Sequence, residues 1–294
     1  MFILIGIAAV VASVAGGYVM AGGHLPALNQ PAEFLIIFGA AVGSLVIGTP
    51  QRVLKRFLRD AQSLHGTYAD KADYLDLLAM MYQLLKISQQ GGVMALESHF
   101  EEPHRSAILS QYPGFLARPR AIDLLADSVK VIVIGGIGPD ELDALMDEDV
   151  AVQREEAAEP SIMLAKMADA LPGLGIVAAV LGVVITMGAI DGPPAEIGHK
   201  VGAALVGTFL GVLLSYGFVQ PLATLFDHRA NDQAQYLYCI KAAMLASHKG
   251  FAPSVAVEFA RRVLPSDLRP SFEDTEEVCK AGAHHVGRPE QAAA

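Results

Sequence analysis

Two pairs of uncharged apolar runs stand out against a polar background. The first pair covers Phe2 to Ala21 and Phe34 to Pro50, parted by the turn-rich Gly22-Gly23-His24-Leu25-Pro26. The second covers Leu171 to Ile190 and Val201 to Phe226, parted by Asp191-Gly192-Pro193-Pro194. A helix of about 20 apolar residues crosses a hydrocarbon core of about 30 Å, so the pattern predicts four membrane spans. The first run lacks a basic segment ahead of it and is longer than the apolar part of a signal peptide, which favours a retained span. Between the pairs the apolar period becomes that of amphipathic helices. Lys71 to Gln90 sets Tyr74, Leu77, Leu78, Met81, Tyr82 and Leu85 on one face and stops at Gly91-Gly92. Arg120 to Ile134 repeats this with Ile122, Leu125, Val129 and Ile132 before Gly135-Gly136, and a third helix opens at Pro139. Helical sequence continues past span four to about Leu245, amphipathic sequence reaches about Val263, and the polar, alanine-rich end from Ala281 reads as disordered.

The fold class is therefore an all-α integral membrane protein: hairpin 1–51, helical insertion 52–170, hairpin 171–226, and a C-terminal helix and tail 227–294. Basic residues are retained on the cytoplasmic side of a membrane. Arg52, Lys55, Arg56 and Arg59 follow span two, whereas the hairpin turns hold only Lys200. Both turns are thus expected in the periplasm, with the insertion, tail and both termini in the cytoplasm. The 294 residues are 53% hydrophobic and 18% charged, a mixture of lipid-facing and water-facing sequence. A net charge of -10 with scattered Lys and Arg excludes nucleic acid as a partner. From Asp140 to Glu159 nine carboxylates face one arginine, Arg154, a run that reads first as a solvated helix face. Cys239 and Cys279 have no metal or redox spacing around them. GxxxxGK[ST], GxSxG and HExxH are absent, so neither ATP-driven transport nor a membrane-embedded hydrolase is indicated.

The apolar runs as bounded above contain no Asp, Glu, Lys, Arg or His, the residues that bind and release ions inside a membrane. They do contain hydroxyls, at Thr186, Thr208, Ser215 and Tyr216, able to line a hydrated path. If an ion moves, its carboxylate is expected from a partner helix. Gly39 and Gly43, and Gly207 and Gly211, place small residues one turn apart, where helices can approach closely. Pro172 stands at the start of span three, where proline is an ordinary helix-opening residue. Pro221 stands within continuing helical sequence, where it must leave a carbonyl without its N–H partner and bend the helix.

Several segments carry a resemblance. Gly16-Gly17-Tyr18-Val19-Met20-Ala21-Gly22-Gly23 with Gln30-Pro31-Ala32-Glu33, Asp169 to Val180, Val206 to Gly217 with Pro221-Leu222-Ala223, and Ala256-Val257-Glu258-Phe259 resemble the motility protein A family of the bacterial flagellar motor, over Met1 to about Phe272. The resemblance implies a stator subunit of the inner membrane. Five copies would surround two of motility protein B, whose membrane aspartate binds the ion. It implies no cofactor beyond that ion, H+ or alternatively Na+. It also implies that Thr208 and Ala179 border the ion path, that Pro172 and Pro221 couple ion binding to motion, and that Glu97 meets the rotor switch protein FliG. Gln89 departs from the pattern, standing where many relatives carry an arginine for that contact. The alternative within the superfamily is an ExbB- or TolQ-like energiser of an outer-membrane process, typically with three spans. An ion-tight membrane scaffold would leave the hydroxyls and paired prolines without a role.

Overall fold

Apolar and amphipathic runs alike become helix, and in a computed structural model residues 2–62, 69–188 and 190–286 are described, with no strand among them. The helices are α1 (Phe2–Met20), α2 (Pro31–Gly48), α3 (Gln51–Gln62), α4 (Lys71–Gly91), α5 (Glu97–Glu101), α6 (Pro113–Leu116), α7 (Pro119–Ile134), α8 (Pro139–Met187), α9 (Pro194–Leu214), α10 (Gln220–His248), α11 (Pro253–Arg262) and α12 (Phe272–Val286). A single π-helical turn, Ser215–Val219, joins α9 to α10, so helix continues from Pro194 to His248. Four stretches are long and apolar enough to cross a membrane: Ile3–Met20, Leu25–Gly48, and parts of Pro139–Met187 and Pro194–His248. α12 extends to Val286, so the segment expected to be disordered from Ala281 is helical over its first six residues. Residues 287–294 lie outside the described residues.

The chain divides into two compact units, Met1–His65 with Ala158–His228, and Gly66–Ala157 with Arg229–Ala294. α8 and α10 each carry residues of both.

In the second unit, α4 opens on a capping box. Asp70 accepts from the Asp73 amide at 2.8 Å and Asp73 accepts from the Asp70 amide at 3.1 Å, satisfying two donors that a helix start leaves free. Gly92 and Gly135, at φ 78° and 83°, follow α4 and α7 in a conformation that costs other residues strain. Tyr74, Leu77, Leu78, Met81, Leu84, Leu125 and Val129 form the core with Leu142, Met146 and Val150 of α8, Ile240 and Met244 of α10, and Val257 of α11. Cys239 and Cys279 are buried in it as free thiols. The acidic run on α8 is partly neutralised here: Lys241 bonds Asp143 at 2.6 Å and Asp147 at 2.5 Å. Burial alone would lower the Lys241 pKa, but the hydrogen bonds to the two carboxylates outweigh it and raise the value.

In the first unit, α3 returns along α8. Arg52 and Arg56 bond Glu159 at 3.4 and 3.1 Å, and Phe57 lies 5.9 Å from Phe226 over Val53, Met163 and Leu164.

Candidate functional site: a glycine seam, two prolines and a buried carboxyl

The site lies in the first unit, where the apolar halves of α8 and α9 touch along their backbones. A β-carbon at Gly211 would stand 2.6 Å from the Leu171 carbonyl oxygen and 2.9 Å from Gly175 Cα. One at Gly175 would stand 2.8 Å from the Gly207 carbonyl oxygen and 3.3 Å from Thr208 Cα. No side chain fits at these distances, so glycine permits the seam, as is common where membrane helices pack closely. Ala179 joins it: its amide nitrogen is 3.2 Å from a β-carbon placed on Gly207. Ala179 and Thr208, both partly buried, are thus brought together at one level of the seam. Gly39 and Gly43 have open space around them and make no such contact within the chain.

The other predicted residues fall elsewhere. Thr186 is seven residues beyond Ala179, roughly 10 Å along the helix, fully buried, and donates its hydroxyl to the Gly182 carbonyl at 2.8 Å. Tyr216 is 66% exposed, roughly 12 Å from Thr208 toward the opposite end of the bundle. Glu97 belongs to the second unit, as the exposed first residue of α5. Gln89 there lines a cleft with Ser88, Leu96, His248 and Phe251.

Pro172 does not open a helix. It lies in the interior of the 49-residue α8, as does Pro160. Proline has no N–H to offer the carbonyl four residues back, which for Pro172 is Ala168. Ser215, wholly buried in the π turn, donates its hydroxyl to that carbonyl at 2.7 Å. The bond lost to one proline is replaced from the facing helix. Two turns nearer the start of α8, Ser161 donates to the Ala223 carbonyl at 2.8 Å, beside Pro221. Pro221 is the second residue of α10, and the π turn just before it is the wide turn in which a helix absorbs a missing hydrogen bond without ending. Two prolines, one π turn and two crossing serine hydroxyls therefore share one junction. The hydrophobic period could not reveal these serine bonds, although a serine facing the residue four before a proline is a usable signal.

The expectation that the spans hold no ionisable side chain is corrected. α2 starts at Pro31, three residues before its first uncharged run, and Glu33 shares a face with Ile37 and Ala41, both fully buried. Glu33 is only 8% exposed, and its Oε2 has no hydrogen-bond partner. The i, i+4, i+8 spacing of Glu33, Ile37 and Ala41 was the available signal; the Gly39-Gly43 pair points along another face.

Four helices long and apolar enough to cross a membrane, two of them meeting at a side-chain-free seam that holds a buried carboxyl, are the architecture of a multi-pass membrane protein. Residues 4–92 match the motility protein A N-terminal model and residues 120–238 the MotA/TolQ/ExbB proton channel family model. The chain is 42% identical to motility protein A of Escherichia coli (strain K12) over 292 residues, 99% of this chain and 98% of that one. Its fold is similar to the C. jejuni MotAB structure, with a TM-score of 0.74 at 18% identity, covering 92% of this chain and 98% of that chain. It is also similar to the flagellar MotAB stator complex from Bacillus subtilis, at 0.68 and 21%, covering 90% and 95%. The chain belongs to the motility protein A family, the flagellar stator branch of the MotA/TolQ/ExbB proton channels.

Proposed function

We propose that this chain, as a stator subunit, couples H+ flow across the bacterial inner membrane to torque on a flagellar rotor, without another cofactor, in keeping with the proton channel family model that it matches. Its hairpin turns face the periplasm and its termini the cytoplasm, in keeping with Arg52, Lys55, Arg56 and Arg59 after span two. A partner of the kind named beside the relatives in the MotAB structures supports the assembly; in this reading five copies enclose two of it, and its single span brings the principal ion-binding aspartate to the seam. Thr208 and Ala179 border the ion there, with Thr186 and Tyr216 above and below. Four candidate spans separate the chain from a three-span ExbB- or TolQ-like energiser. In the second unit, Glu97 meets the rotor switch protein FliG.

The observation that carries the coupling is the Ser215 hydroxyl on the Ala168 carbonyl, the group that Pro172 leaves without its own helix partner. A helix whose hydrogen bond is held from outside can exchange that bond at lower cost than one with an intact ladder. Neutralising the partner's carboxylate beside the seam then shifts the balance between two arrangements of α8 and α10, and their continuations carry the change toward the rotor. The test is torque per assembled stator unit in Pro172→Ala and Pro221→Ala cells, with units counted by fluorescence. The expected result is normal assembly with torque lowered in both. Wild-type torque per unit in both variants removes the hinge.

A further inference from the structure

The carboxyl of Glu33 lies inside the seam that the proposed function uses. A β-carbon on Gly207 would stand 2.7 Å from Glu33 Oε2 and 3.1 Å from Ala178 Cβ, and one on Gly182 would stand 3.4 Å from Glu33 Oε1. The two glycines, one on α9 and one on α8, leave the space the carboxyl occupies. Gly207 is next in sequence to Thr208 and packs on Ala179, so the carboxyl sits one glycine away from the proposed ion path. Gly207 lies six residues into the apolar run that starts at Val201, and Gly182 lies eight residues before the end of its run at Ile190. The carboxyl is thus roughly 9–12 Å inside the hairpin ends of these helices.

An acidic residue in the first turn of a helix commonly serves as a cap, accepting from free backbone amides. Glu33 does not, since its buried Oε2 accepts no hydrogen bond. An ionised oxygen without a protein donor is a costly group in an apolar interior, and structures retain such groups where function requires them. Among the described residues no cation stands opposite. α2 has no other charged residue, and α8 has none between Asp169 and its end at Met187. On α9 the ionisable residues are Glu196, His199 and Lys200, with Lys200 bonded to Glu196 at 3.0 Å; His24 precedes the turn before α2.

We propose that Glu33 is an ion-exchanging carboxyl of this chain, taking a proton onto its carboxylate on the hairpin side of the seam and releasing it toward the Thr208 and Ala179 level. The O–H bond formed on entry is the one broken on exit, so the group is unchanged over a cycle. The inference rests on the channel reading above and gives the path a station supplied by this chain, in addition to the partner's.

Two measurements test it on the full chain in its membrane complex. Dicyclohexylcarbodiimide, lipid-soluble and reactive toward protonated carboxyls, is expected to label the Glu33 peptide in the wild-type complex, with labelling that falls as pH rises. Glu33→Gln keeps the size and removes the exchangeable proton. It is expected to assemble in normal numbers, turn the motor severalfold more slowly at low load and flatten the dependence of speed on external pH, whereas Glu33→Asp retains that dependence. Absent or pH-independent labelling overturns the proposal, as does a Glu33→Gln motor with wild-type speed and pH profile. A Glu33→Gln chain that fails to assemble also overturns it, by making the side chain a packing group. A wild-type complex that carries no proton current would instead defeat the channel reading, and the labelling result would stand apart from it.

Discussion

Glu258 on α11 accepts from Arg261 Nε at 2.7 Å and Arg262 Nε at 2.6 Å. The hydrogen bond from Arg261, opposed by partial burial and reinforced by Arg262, brings its pKa down to about 2. A carboxylate depressed in the folded state stabilises the fold above its unfolded value, about 4.3, and loses that contribution as pH falls through the folded value. Glu258→Gln should therefore speed hydrogen exchange in α11 at neutral pH by an amount equivalent to about 2 kcal/mol, allowing for its partial exposure, and the gap to wild type should close between about pH 4 and pH 2. The motif Ala256-Val257-Glu258-Phe259 was visible in the sequence, but its arginine clamp depended on the turn of α11. Glu33 was visible too, but in sequence a charged residue beside an apolar run reads as its boundary. Only the burial of its face placed it inside.

Helices α8 and α9 approach through glycine, and the hydroxyl of Ser215 bridges them at the point where Pro172 interrupts one ladder. Ser215→Ala would leave the Ala168 carbonyl buried and unpaired, a loss of about 1–3 kcal/mol. Faster exchange of amides in α8 around Ala168, with assembly retained, is the expected signature, and unchanged exchange would show that another donor replaces Ser215. Gly211→Ala should do more, since its methyl group has no room beside the Leu171 oxygen and must separate the helices. Stator incorporation, counted by fluorescence, should fall sharply in that variant and stay normal in Gly39→Ala, whose site is open within the chain. The four spans, the amphipathic helices and the Gly-Gly stops were all legible, because hydrophobic period and turn chemistry are local. That span three belongs to a single 49-residue helix was not, since the apolar run alone does not show that α8 continues through Pro172.

Across the whole molecule Glu33 is the one buried carboxyl among the described residues, and the proposed path needs a second from a partner span. The chain alone in liposomes should therefore hold a proton gradient that dissipates when the partner is co-reconstituted; equal flux in both preparations would mean that Glu33 and the seam suffice. By itself the sequence determined the all-helical fold class and the four apolar candidate spans, since each rests on composition and run length. The tertiary structure alone decided which glycines meet backbone, which hydroxyl serves the proline-freed carbonyl and which acidic residue is buried. Those outcomes depend on residues distant in the chain, such as Ser215 and Ala168 or Glu33 and Gly207, and on the distances at which their helices come to rest.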